Sequence, residues 1–311
     1  MRRIAVLALV LLLIQLDSRV SSQDVSSKRI TLDNGIALHY REQGVGDPVV
    51  FVHGLASDLT FWSRQVEAFA RDGYRAISYS RRYNFPNKNA PQPDHSAKVE
   101  ADDLAGLIRR LELGQVHLVG HSFGAYSSLL LAIQHPDLVK TVTLAEPPLV
   151  PWLDRVEGDL ADQAKSHGLK LSRAMDTART AYASDDARRA MQTMMDCIGG
   201  DGTFDRLPSF IQARCLRNGA ELEALVSSNG PYPRIEAGEI QTLQVPTLLL
   251  SGSDSIATAS FTDPILQRLL PKSLTRRVVL QGASHIMWVE QPIQCRREVQ
   301  ALIRSSHGAK P

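Results

Sequence analysis

Cysteine is scarce in this sequence: three residues among 311, at positions 197, 215 and 295. None forms a CxxC pair or a Cys/His spacing that holds zinc, so no structural metal is expected. Charge of one sign is also missing. Lys and Arg number 35 against 33 Asp and Glu, a net charge of +2, and the basic residues are scattered, in pairs such as Arg81-Arg82 and Arg296-Arg297 rather than in runs. That removes the electrostatic case for a nucleic-acid partner. Internal repeats and low-complexity segments are absent as well, so no repeat architecture is expected. What remains is ordinary globular composition, 43% hydrophobic and 22% charged, enough for one large core or a core with a lid.

The longest apolar run, Ile4 to Ile14, falls short of the roughly 20 residues that cross a bilayer. Arg2 and Arg3 precede it, and small and polar residues follow. This is the pattern of a cleavable signal peptide covering residues 1–22, with Val20 and Ser22 at the small-residue positions. The alternative is an uncleaved N-terminal membrane anchor. Export permits disulfides, so Cys197 and Cys215 pairing, with Cys295 left over, stands beside three buried thiols.

Past the leader, "KRITLDNGIALHYRE" predicts two short strands around an Asn34-Gly35 turn. "DPVVFVHG" and "YRAISYS" read as buried strands separated by the helix "TFWSRQVEAFARDG", which stops at Gly73. In "HSAKVEADDLAGLIRRLELG" the apolar residues Val99, Leu104, Leu107, Ile108 and Leu111 repeat at three and four, an amphipathic helix. "QVHLVG", a helix after Ser122, "LVKTVTLAE", "VPTLLLSG", "RRVVLQG" and a closing helix after Pro292 continue the alternation, which implies a mostly parallel, doubly wound sheet. One gap interrupts it. Residues 147–244 carry helical patterns and no convincing strand, and predict a helical cap inserted after the sixth strand, over the edge where open α/β sheets bind ligands. The core is then 23–146 and 245–311. Met191, Met194 and Met195 in the cap are an adaptable apolar lining or plain core.

"GHSFG", residues 120–124, sits where strand becomes helix. A serine at the tip of so sharp a turn needs small neighbours, which Gly120 and Gly124 supply, and the helix beyond it points its amides and positive dipole end at any oxyanion formed there.

Taken together, "VVFVHG" followed by "FW", "GHSFG", "VPTLLLSG" and "LQGASHIMWVEQP" resemble the α/β-hydrolase superfamily in order over essentially the whole mature length. "YSRRYNFP" and "AEPP" further resemble a bacterial-type subgroup of capped members. The resemblance implies a serine hydrolase acting on a small-molecule ester or thioester by acyl transfer, without a cofactor. It implies Ser122 as nucleophile, His285 as base, and the amides of Leu55 and Phe123 as the oxyanion hole. A serine at 122 argues against epoxide hydrolase or haloalkane dehalogenase chemistry, which in similar proteins uses an aspartate there. Carbon–carbon bond hydrolysis uses the same three groups and stays open. So does a non-catalytic binder on the same scaffold, since fold does not fix function.

Where many relatives carry Asp-x-Arg-Gly-x-Gly-x-Ser after the fourth strand, this chain has "SYSRRYNFPN". Tyr79, Arg81, Arg82 and Tyr83 there line the pocket entrance or hold an anionic group; alternatively the arginines pair with carboxylates of the adjoining helix. His53, Gly54, His121, Tyr79, Arg81 and Met287 are the candidate pocket residues, His53 as a shaper of its turn rather than a base. The acid is the second departure. The usual position, three residues past Gly252, is Ser255. Asp254 comes one residue early, whereas Glu146, at the end of the sixth strand in "VTLAEPP", matches the placement in certain lipases and polyketide thioesterases and is preferred. The membrane is a partner only where the N-terminal segment stays uncleaved. N-terminal sequencing of natively produced protein is expected to give a mature form beginning close to Gln23; recovery of Met1 on a soluble form contradicts the leader.

Overall fold

A computed structural model describes residues 27–308; the expected leader and its cleavage site lie outside them. Strand β1 (Lys28–Thr31) pairs antiparallel with β2 (Ala37–Gln43) across the Asn34-Gly35 turn, with Lys28 opposite Tyr40. Strand and helix then alternate through β3 (Pro48–Val52), α1 (Ser63–Arg71), β4 (Arg75–Tyr79), α2 (Ala97–Arg110), β5 (Val116–His121), α3 (Phe123–Gln134) and β6 (Val139–Ala145). Between β6 and the next strand lie only helices: α4 (Ala161–Ala183), α5 (Ala187–Gly199), the short α6 (Thr203–Arg206), α7 (Ser209–Arg217), α8 (Gly219–Ser227) and α9 (Ala237–Gln241), preceded by 3₁₀ turns at Val150–Arg155 and Gly158–Leu160. The sheet resumes with β7 (Thr247–Gly252), α10 (Ala257–Leu269), β8 (Thr275–Leu280), α11 (Met287–Glu290) and α12 (Pro292–Gly308).

The sheet runs β1-β2-β4-β3-β5-β6-β7-β8, parallel from β4 to β8. Its central strands are buried on both faces, as helices on both sides require. Val50, Val52 and Leu118 face the cluster made with α2 and α3, through Leu104, Leu107, Ile108 and Leu129. Val49, Phe51 and Val119 point the other way, toward Val66 and Phe69 of α1 and Val299, Leu302 and Ile303 of α12. The strand period of two therefore divides one apolar run between two cores.

The chain leaves β3 for β4 on one side and returns to β5 on the other, so a crevice opens at the carboxyl ends of β3 and β5, where such sheets bind ligands. The residues following those strands are His53 to Ser57 and Ser122 to Gly124. Over them sits a cap with its own core, in which Leu171, Ala174, Ala178, Met191, Met194, Phe204, Leu222 and Val226 pack around Ala56. Met191 and Met194 are thus core, while Met195 is partly buried at its margin. Cys197 and Cys215 are separate buried thiols of this cap core, and Cys295, on α12, is a third. No disulfide joins the two that sequence spacing left able to pair.

At the α3–β3 contact the backbones touch: a Cβ on Gly124 would lie 2.4 Å from the carbonyl oxygens of both Val52 and His53, and one on Gly120 2.6 Å from Ala125 Cα. Neither has room to shift, since backbone lines both sides. Gly124→Ala is expected to destabilise by about 3 kcal/mol or more, the upper range for overpacking. Gly238→Ala, in an exposed part of α9 with nothing within 4 Å of the added carbon, is expected to be neutral or to stabilise by up to about 1 kcal/mol. Chemical denaturation measures both.

Candidate active site

Ser122 follows β5 at φ 54°, ψ −125°, a conformation that non-glycine residues rarely adopt. It is held by its own amide donating to the carbonyl of Ala145 at the end of β6 (2.8 Å), and by its carbonyl accepting from the amides of Ala125 (2.8 Å) and Tyr126 (3.1 Å) in the first turn of α3. The Phe123 N–H, first in that helix, has no intrahelical acceptor. Leu55 lies across the crevice in the loop after β3, and among the described residues its N–H has no backbone acceptor either. Gly54 is in contact with the serine: a Cβ on it would lie 2.9 Å from Ser122 Cβ. Two amides without backbone acceptors thus belong to the segments that meet at Ser122.

Glu146 follows β6 with φ 52°, is fully buried, and accepts two hydrogen bonds. Its Oε1 takes the Gly252 amide of β7 at 2.7 Å, and its Oε2 takes His285 Nδ1 at 2.5 Å. With Nδ1–H committed to the carboxylate, Nε2 is the nitrogen free to accept a proton. His285 is brought to the serine's end of the sheet by His121, whose Nε2–H donates to the His285 carbonyl at 2.8 Å, the two rings 4.7 Å apart. Phe61 stacks on the His121 ring at 5.5 Å. Asp254 is exposed, and its carboxylate accepts from Ser253 Oγ at 3.0 Å rather than from the imidazole.

The other sequence candidates fall into two groups. Tyr79 and Met287 belong to the packed interior, both fully buried. Tyr79 is the last residue of β4, opposite Tyr40, and Met287 joins the cluster of Phe51, Trp288 and Cys295, because α11 turns it down toward the sheet. These two do not line the crevice. His53, Gly54 and Arg81 form a buried polar cluster beneath the loop after β3. His53 Nδ1–H donates to Gly54 O (2.8 Å) and His53 Nε2 accepts from the Arg81 amide (3.1 Å), the pattern of a neutral ring. Burial, with Arg81 beside it, lowers the His53 pKa to about 3. Burial and the neighbouring His285 lower that of His121 to about 3 as well.

Arg81 is fully buried and paired with Glu100 of α2 at 3.3 Å and with Glu221 of the cap helix α8. Arg82 pairs with Asp103 of α2 at 2.7 Å. Burial pushes the Glu100 pKa up to about 7. Of the two uses the sequence allowed these arginines, ion pairing with the adjoining helix is the one realised. Glu221 had no sequence signal at all, lying 140 residues from its partner on an ordinary cap helix. Among the described residues, no group of three or more His, Cys, Asp or Glu side chains is arranged to hold a metal ion.

This arrangement is a hydroxyl on a sharp turn, an imidazole fixed in one tautomer by a buried carboxylate, and two unpaired amides. Comparison with known proteins agrees with the architecture. Residues 47–292 match the family model for the alpha/beta hydrolase fold. An epoxide hydrolase of Caballeronia sordidicola is 35% identical over 136 residues, 43% of this chain and 40% of that one. A 2-(acetamidomethylene)succinate hydrolase of Mesorhizobium japonicum is 31% identical over 49% of this chain and 53% of its own. The chain therefore spans about half the length of these relatives. Among solved structures, a thermophilic esterase from Thermogutta terrifontis superposes with a TM-score of 0.69 over 91% of this chain and all of that one, at 24% identity.

Two buried imidazoles held neutral at the site set a pH dependence. Their folded pKa values lie below the unfolded value of about 6.5, so below that pH the unfolded chain binds more protons and stability falls as pH falls toward 3. The melting temperature is expected to drop between pH 6.5 and 4.5. His121→Gln, which keeps a donor for the His285 carbonyl and cannot be protonated, is expected to show a shallower drop in calorimetry; an unchanged slope would show that His121 is not held neutral by the fold.

Proposed function

The chain belongs to the α/β-hydrolase family, and from that premise we propose that it is a serine hydrolase cleaving a small-molecule ester or thioester by acyl transfer. The hydrogen bond between Glu146 and His285 Nδ1, at the same sheet edge as the Ser122 turn, is the observation that carries this reading. In the proposed cycle the Ser122 hydroxyl attacks the carbonyl carbon while His285 Nε2 takes its proton, and Glu146 holds the imidazole in the required tautomer and stabilises the imidazolium. The amides of Leu55 and Phe123 hold the tetrahedral oxyanion. The imidazolium then protonates the leaving alcohol or thiol, and water repeats the sequence on the acyl-serine.

The relatives' names span several reactions, and two features of this chain favour the ester. Position 122 is a serine and not the carboxylate expected for epoxide opening, although an epoxide hydrolase is among the relatives. The name of the succinate-derivative hydrolase points to an anionic substrate, whereas here Arg81 and Arg82 are already neutralised by Glu100, Glu221 and Asp103. An uncharged acyl group fits better. Carbon–carbon bond hydrolysis draws on the same groups and is the second reading. The N-terminal leader adds export to the proposal.

Turnover of p-nitrophenyl acyl esters and acyl thioesters tests it. Ser122→Ala is expected to abolish most turnover in a folded protein, and Glu146→Gln to lower kcat by about 10²- to 10⁴-fold, the range for losing the correct tautomer. Asp254→Asn is expected to change little. A large loss in Asp254→Asn with almost none in Glu146→Gln would transfer the acid to Asp254.

A further inference from the structure

The loop that carries Leu55 is clamped at both of the peptide units flanking that residue, and by side chains from opposite halves of the molecule. One unit joins Gly54 to Leu55. Its carbonyl accepts from Arg81 Nη2 at 3.1 Å and from His53 Nδ1 at 2.8 Å. The bond is trans, the only cis peptide among the described residues being Phe85-Pro86, so the N–H of Leu55 points opposite to that carbonyl, away from Arg81. The next unit joins Leu55 to Ala56. Its N–H donates to Glu221 Oε2 at 3.1 Å, which removes Ala56 as an oxyanion donor and holds a residue whose φ is 55°. Arg81 also donates through Nε to the His53 carbonyl at 3.0 Å and lies over the Phe123 ring at 5.0 Å. It therefore touches the peptide unit that carries the Leu55 amide and the ring of Phe123.

Glu221 and Arg81 are bonded to each other, and both side chains are fully buried. Glu221 Oε2 takes a further hydrogen bond from Asn84 Nδ2 at 2.7 Å. Glu221 belongs to α8, in the cap, whose core also includes Ala56 and is packed against by Leu55. A cap displaced from the crevice would leave Arg81 with one carboxylate fewer, Ala56 N–H unpaired and the left-handed turn at Ala56 unsupported, each costly in a buried setting.

We propose that Glu221 and Arg81 are positioning residues that aim the Leu55 amide at the developing oxyanion, so that a seated cap is a condition for an assembled oxyanion hole. The proposal rests on the acyl-transfer reading above. In this arrangement the cap contributes to the chemical step as well as to substrate selection. A second tie between cap and core serves as an internal comparison: Arg217 of α7 donates to Asp58 Oδ2 at 2.6 Å and touches none of the peptide units around Leu55.

The test compares Glu221→Asp, Glu221→Gln and Arg217→Met, using an ester on which wild-type turnover has first been shown to require Ser122; absence of that requirement would count against the acyl-transfer reading itself. Glu221→Asp keeps the counter-charge that the buried Arg81 needs for folding but withdraws the carboxylate by one methylene, and Glu221→Gln keeps the reach but removes the charge. Loss of one oxyanion donor lowers kcat by about 10²- to 10³-fold. Misaiming is expected to cost about 10- to 100-fold in kcat in either Glu221 variant, with KM within about threefold. Affinity for a boronic acid, which forms a tetrahedral adduct on the serine, is expected to fall in parallel with kcat/KM, while Arg217→Met stays near wild type in both. Wild-type kcat in a folded Glu221 variant would overturn the proposal. So would an equal loss in Arg217→Met, which would trace the effect to cap seating in general.

Discussion

Ser122 holds φ 54°, ψ −125°, a conformation costing a non-glycine residue on the order of 1–3 kcal/mol, and much of the surrounding structure serves to keep it there. Strand β5 must run into α3 with no intervening loop, which brings α3 onto the carbonyls of Val52 and His53 and leaves no space for a side chain at Gly120 or Gly124. The Ser122 amide is anchored to the Ala145 carbonyl of the adjacent strand. Because β3, β5 and β6 are neighbours in the sheet, the same contacts fix where the residues after β3 and after β6 emerge. The strained turn, the free amides and Glu146 are three consequences of one strand order.

Electrostatics at this edge is arranged by burial. Glu146 is buried and has both carboxylate oxygens engaged, one by Gly252 N and the other by His285. His53 and His121 lack such carboxylate partners and stay neutral, serving as hydrogen-bonding spacers beneath the loop after β3 and beside His285. His53, His121 and His285 therefore take different roles according to what each one faces. Arg81 supplies a fixed positive charge beneath the loop after β3. Its compensation by one carboxylate from the core and one from the cap joins the two parts of the molecule through a site where an unpaired charge is unfavourable.

Much of this was legible in the sequence because it depends on local pattern. Buried strands bounded by glycine, a Ser122 between Gly120 and Gly124, and helices with three-and-four spacing identify the alternating fold and the turn. The choice between Glu146 and Asp254 was harder, because it depends on the path of two loops: a backbone at φ 52° turns Glu146 inward, whereas the turn after β7 leaves Asp254 in solvent. Met287 shows the limit of reasoning by proximity. It lies two residues from His285 and still packs into the core, because α11 begins between them. Glu221 was invisible, since nothing in "GAELEALVS" marks one carboxylate of an amphipathic helix as the partner of an arginine far away in the chain.

The account depends most on Ser122 being made nucleophilic by His285. Brief exposure to a fluorophosphonate followed by peptide mass spectrometry measures this directly, since the reagent reports activation of the serine without requiring the natural substrate. The expected result is a single adduct on the peptide carrying Ser122, strongly suppressed in a folded His285→Ala variant. No adduct under conditions that label a control esterase, an adduct on another residue, or equal labelling in His285→Ala would contradict it.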